Sequence, residues 1–145
     1  MEVFTTNSPE ETEELGKRFA SGLGKGSVVA LTGELGAGKT QFTRGIAAGL
    51  GVKGYHVKSP SFTIVRVYGD GRLPLYHIDL YRLKGASEIN GLGLEEYIYG
   101  DGVSVIEWAE KAGGPSGTAG GLLPEDAITI RFFYEGETKR RIEVG

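Results

Sequence analysis

The chain has 145 residues, 39% of them hydrophobic and 24% charged, and its sixteen lysines and arginines against nineteen aspartates and glutamates leave a formal charge of −3. That balance fits one folded domain over residues 1–145 rather than a disordered chain, and a net acidic domain lacks the basic footprint of a protein that grips nucleic acid by itself. With no cysteine, no apolar run long enough to span a membrane, and neither a basic nor an apolar leader in MEVFTTNSPE, disulfides and thiolate metal sites are excluded and a soluble, cytoplasmic protein is expected.

The first predicted element is a helix. Ser8, Pro9 and Glu11 form the sequence pattern of a capping box, and Leu15, Phe19 and Leu23 recur every fourth residue as one apolar stripe. The next segment, GSVVALTG, is short, β-branched and bounded by glycines, which predicts a buried strand over Val28 to Thr32. A glycine-rich loop follows, and then a second helix whose apolar face is Phe42, Ile46, Ala47 and Leu50 and which stops near Gly51.

Strand, glycine loop and helix in that order give the loop its meaning. Gly33-x-x-x-x-Gly38-Lys39-Thr40 matches the phosphate-binding pattern, in which glycines let backbone N–H groups converge on an anion and the following helix aims its positive end at the same point. Lys39 is expected to reach the β- and γ-phosphates and the Thr40 hydroxyl to ligate Mg²⁺. The residues expected to contact the nucleotide are Gly33, Glu34, Leu35, Gly36, Ala37, Gly38, Lys39, Thr40 and Gln41. Proteins of this class that read guanine carry an Asn-Lys-x-Asp segment, and neither asparagine here, Asn7 or Asn90, precedes a lysine. ATP is the expected nucleotide.

Further along, Ile64 to Tyr68, the turn signal Gly69-Asp70-Gly71 and a second run predict a hairpin, with Pro74 placing that second strand at an edge or standing at its first residues. GLEEYI predicts one or two helical turns, GVSVIEW another buried strand, and the tail two strands about Glu135-Gly136. Ala112 to Gly121 is too rich in glycine and small residues to bury anything, which predicts a flexible loop over 112–121. The sum is a three-layer α/β domain of the P-loop NTPase type with a mixed sheet, parallel near the glycine loop and antiparallel in the hairpins.

Hydrolysis needs acidic groups that hold Mg²⁺ and orient the attacking water. Asp79 in YHIDLYRL and Glu107 in SVIEW each end an apolar run, where open α/β sheets place their ligand crevice if the strand is parallel. Their division of labour stays open at this level. Trp108 offers a flat ring to a base or an anchor to a core or partner. His56 and His77 lack metal-ligand spacing and read as packing or surface residues.

The segments GELGAGKT, SPSFTIV, YHIDLYRL, GLEEY, VIEWAEK and LLPEDAITI, in this order and over nearly the whole chain, resemble the TsaE family, the small P-loop ATPases of bacterial tRNA threonylcarbamoyladenosine (t⁶A) synthesis. The resemblance implies ATP and Mg²⁺ as cofactors and weak hydrolysis by the isolated protein. It implies TsaD and TsaB as partners, which build the modified base at tRNA position 37, with ATP turnover resetting that assembly and tRNA met only indirectly. It also implies that Thr40 and Glu107 stand on the metal side, that Lys39, Asp79, Glu107 and Thr63 are catalytic, and that Trp108 is a nucleotide-side aromatic. Ser59 to Thr63 then resembles a loop that senses the γ-phosphate; Ser61 stands where the family commonly has threonine, so either Ser61 or Thr63 supplies the hydroxyl. Two other uses of the same cradle are a small-molecule or protein kinase and a nucleotide-switched binding module that needs no hydrolysis.

Overall fold

A computed structural model describes residues 1–53, 64–84, 86–112 and 123–145. Among these, the strands are β1 (Glu2–Thr6), β2 (Val28–Gly33), β3 (Val65–Tyr68), β4 (Leu75–Asp79), β5 (Val103–Glu107), β6 (Ile128–Tyr134) and β7 (Arg140–Val144). The helices are α1 (Pro9–Ala20), α2 (Lys39–Gly49), α3 (Ala86–Asn90) and α4 (Glu95–Ile98), and a 3₁₀ turn spans Ala109–Ala112. The strands form one seven-stranded sheet in the order β1-β7-β6-β2-β5-β4-β3. β2, β4, β5 and β6 run parallel at the centre, while β1, β7 and β3 are antiparallel to their neighbours. The mixed sheet expected from the sequence is therefore present, with two apolar cores, one on each face.

Strand periodicity builds both cores. Along β2, Val29 and Leu31 point toward α1 and α2 and join Leu15, Phe42, Ile46 and Leu50. Val28 and Ala30 point the other way, toward Ile89 of α3, Leu94 just before α4, and Ile98 of α4. α1 begins as its sequence dictates: the Ser8 side chain accepts from the Glu11 N–H at 3.1 Å. The Glu11 carboxylate reaches back to the Asn7 N–H at 2.9 Å, one residue earlier than a standard capping box. α1 and α2 lie almost backbone to backbone, because a Cβ at Gly45 would fall 1.9 Å from the Glu13 carbonyl oxygen and one at Gly16 2.3 Å from that of Phe42. This close approach fixes α2, and with it the end of the glycine loop.

Several expectations change. β4 is not an edge strand: it lies between β5 and β3, and Pro74 stands just before it, its carbonyl accepting from the Val103 N–H at 2.8 Å. Pro74 thus sits where no ladder donor is required of it. Ala112, read as the first residue of a loop that buries nothing, ends the 3₁₀ turn with no exposure; residues 113–121 lie outside the described residues. β1 and α3 add elements that the sequence reading did not include. Among the described residues no helix is long and apolar enough to cross a membrane.

Candidate nucleotide site

The glycine loop leaves the C-terminal end of β2 and enters α2, so its N–H groups and the helix N-terminus converge at the end of the parallel strands. Gly36 and Gly38 hold φ of 78° and 110°, a region that favours glycine. At Gly36 a Cβ would also lie 2.7 Å from the Tyr134 hydroxyl. That hydroxyl donates to the Leu35 carbonyl at 2.6 Å, and the Arg140 guanidinium stacks on the Tyr134 ring at 4.2 Å. The β6–β7 hairpin thereby braces the loop from outside.

The strand ends deliver the acidic groups. β4 and β5 pair in parallel with Asp79 opposite Glu107, each the last residue of its strand. Both are buried, each with 3% exposure. The Thr40 hydroxyl, in the first turn of α2, lies 3.2 Å and 3.3 Å from the two carboxylate oxygens of Glu107 and donates to them. Asp79 Oδ1 accepts from the Tyr81 N–H at 2.9 Å, which fixes the carboxylate at the strand end.

Lys39 is buried, and its ammonium donates to the carbonyls of Gly33 and, at 3.1 Å, Glu34. Burial pulls its pKa below the ordinary lysine value, opposed by the negative charges of Glu107, Glu110 and Asp79. Nζ also lies 3.9 Å from the centroid of the Trp108 ring. Trp108 has a left-handed backbone, φ 59°, a conformation that costs a non-glycine residue roughly 1 kcal/mol. Tyr81 packs on the same indole with ring centroids 4.9 Å apart.

These groups border a cleft of about 620 Å³ lined by Leu35, Gly36, Gly38, Lys39, Thr40, Gln41, Asp79, Tyr81, Arg82, Glu107 and Trp108. Of the residues expected at the nucleotide, Leu35, Gly36, Gly38, Lys39, Thr40, Gln41, Asp79, Glu107 and Trp108 border this cleft, and Gly33, Glu34 and Ala37 do not, with Ala37 fully buried. A smaller hollow of about 180 Å³ shares Gly36, Gly38 and Gln41 with it and is closed by Ser8, Thr12, Glu137 and Arg140. Ser59, Ser61 and Thr63, read as the γ-phosphate sensor, and His56 lie outside the described residues. His77 is not a surface residue: it is fully buried, with Nε2 2.5 Å from Glu107 Oε2.

Tyr81 and Arg82 were missed as lining residues, although their place directly after Asp79 in the YHIDLYRL block was a usable signal. Tyr134 had no local signal, since its contact is with a loop 99 positions earlier.

No three His, Cys, Asp or Glu side chains among the described residues cluster as a self-contained metal site. The donors that do meet, the Thr40 hydroxyl and the carboxylates of Glu107 and Asp79, are hard oxygens. Such a set suits Mg²⁺, which commonly takes one or two carboxylates and completes its shell with water and substrate phosphates.

The chain is similar to known proteins over most of its length. Residues 6–142 match the family model described as Threonylcarbamoyl adenosine biosynthesis protein TsaE. The tRNA threonylcarbamoyladenosine biosynthesis protein TsaE of Bacillus subtilis (strain 168) is 44% identical over 139 residues, covering 96% of this chain and 82% of the relative. The protein of the same name from Treponema pallidum (strain Nichols) is 40% identical, covering 96% of each chain. The crystal structure of Bacillus subtilis YdiB superposes with a TM-score of 0.77 at 39% identity, covering 97% of this chain and 82% of that one.

Proposed function

The chain belongs to the TsaE family of threonylcarbamoyladenosine biosynthesis proteins, and from that premise we propose that it is a Mg²⁺-dependent ATPase whose turnover supports the TsaB–TsaD proteins in forming t⁶A at tRNA position 37. The observation that carries the ATPase reading is the meeting of Lys39, Thr40, Asp79 and Glu107 at the mouth of the glycine loop.

Each group has a distinct task. The amides of Gly36 to Thr40 and the start of α2 receive the phosphate oxygens, and Lys39 exchanges its bonds to the Gly33 and Glu34 carbonyls for the β- and γ-phosphates. Burial of Lys39 favours that exchange, because a phosphate adds negative charge beside an ammonium whose charged form burial disfavours. Thr40 and Glu107 hold Mg²⁺, which when bound draws negative charge off the phosphate oxygens. Asp79, fixed by the Tyr81 N–H, orients the attacking water.

The direction in which the nucleotide lies follows from Lys39. Its ammonium marks the β/γ end and touches Trp108, so Trp108 and Tyr81 cover the terminal phosphates, while the base lies toward the hollow between Thr12, Gln41 and Arg140. Trp108 is then a phosphate-side aromatic rather than a stacking platform for adenine. The acidic character of the chain supports contact with tRNA only through the partner proteins.

The test is release of γ-phosphate from labelled ATP, measured with and without TsaB and TsaD. Slow release that rises with the partners and leaves the label in inorganic phosphate is expected. Label in another acceptor would instead identify a kinase, and unimpaired biological activity of Asp79→Ala and Glu107→Ala variants would identify a switch that needs no hydrolysis.

A further inference from the structure

His77 poses a question that packing does not answer. It stands on β4 on the face that Leu75, Val103 and Val105 present to α2, an apolar setting in which an aliphatic side chain would be at home. The imidazole is fully buried there, and its Nδ1 has no hydrogen-bond partner among the described residues. A buried polar atom left unsatisfied calls for a compensating role. Among the described residues, the ring's hydrogen bond is from Nε2 to Glu107 Oε2, at 2.5 Å.

Glu107 needs such a contact. The terminal torsion of a glutamate is broad and roughly two-fold, so a carboxylate held from one side alone can turn. Thr40 reaches both oxygens almost equally, at 3.2 Å and 3.3 Å, and so does not choose between them. His77 does. Its Nε2–H, carried by a rigid ring on the neighbouring parallel strand, donates to Oε2 and not to Oε1, and so distinguishes the two oxygens.

We propose that His77 is a positioning residue that locks the Glu107 carboxylate into the orientation that receives the divalent cation. The proposal rests on the reading of Glu107 as a metal ligand. Groups that hydrogen-bond a metal ligand typically change metal affinity by about 10- to 100-fold when removed.

Full-length protein saturated with a non-hydrolysable ATP analogue, titrated with Mn²⁺ and followed by electron paramagnetic resonance, tests this without any turnover. His77→Gln keeps an amide N–H at nearly the reach of Nε2, whereas His77→Asn is too short and His77→Leu has no donor. The expected result is Mn²⁺ affinity weakened about tenfold or more in His77→Asn and His77→Leu, and restored to within about threefold of the parent in His77→Gln. Affinity for the analogue in the presence of EDTA stays the same in all of them, which a merely structural loss would not allow. The Asn and Gln pair decides the matter if His77→Leu does not fold. Equal Mn²⁺ affinity in the Asn and Gln variants overturns the proposal. Glu107→Gln separates the two levels: if it weakens Mn²⁺ while His77→Asn does not, only the role of His77 falls, and if Glu107→Gln has no effect, both readings fall.

Discussion

Replacing Gly45 by alanine sets two opposed effects against each other at the joint that holds the phosphate-binding helix. Gly45 lies within α2, where alanine is the better helix former by about 1 kcal/mol. Against this, the added Cβ would fall 1.9 Å from the Glu13 carbonyl oxygen, 2.8 Å from the Lys17 nitrogen and 2.9 Å from the Glu13 carbonyl carbon. All three are backbone atoms of α1, so no side-chain rotation relieves the overlap. Restoring ordinary contact requires the helices to part by roughly 1.5 Å, an overpacking at the upper end of the usual 1–3 kcal/mol. The clash therefore outweighs the propensity gain, leaving a net loss of about 2 kcal/mol. At about 3 °C per kcal/mol for a domain of this size, the melting temperature falls by about 6 °C. Thermal unfolding followed by circular dichroism, with Gly24→Ala as the control because a Cβ there meets nothing within 4 Å, measures the difference. A Gly45→Ala protein that melts at or above the parent temperature would refute the close-packed joint between α1 and α2.

Two further outcomes concern the chemistry of the cleft. Asp79→Asn retains an oxygen to accept the Tyr81 N–H, so nucleotide affinity is expected to stay within about threefold while steady-state phosphate release drops about 100-fold or more; unchanged release would remove Asp79 from the mechanism. Trp108 emission is expected to change on adding ATP with Mg²⁺, and to change equally with inorganic tripolyphosphate but not with adenosine, because the indole touches Lys39 at the phosphate end. A response to adenosine alone would return Trp108 to the base.

The legible part of this protein is what neighbouring residues decide among themselves. Strand, glycines, lysine and helix are consecutive, so β2, the loop and α2 follow from local pattern, and Asp79 and Glu107 stand out as charges ending apolar runs. What stayed hidden depends on register between distant strands. His77 reads as a packing or surface residue until β4 is laid parallel to β5, which brings Glu107 from 30 positions away to within 2.5 Å. β1 carries few apolar residues and gains its strand character by pairing with β7 at the far end of the chain. α3, five residues long, is too short to display a helical period. The same non-locality explains Tyr134, whose ring reaches the glycine loop only because β6 lies beside β2.

The central claim is that the glycine loop and Lys39 together bind the phosphates of an adenine nucleotide. Calorimetric titration of the protein with a non-hydrolysable ATP analogue and Mg²⁺ measures this directly, beside the Lys39→Ala variant. Saturable heat of association in the parent protein, lost or weakened at least about 100-fold in the variant, is the predicted result. Equal binding by both proteins, or no binding by the parent, would contradict it.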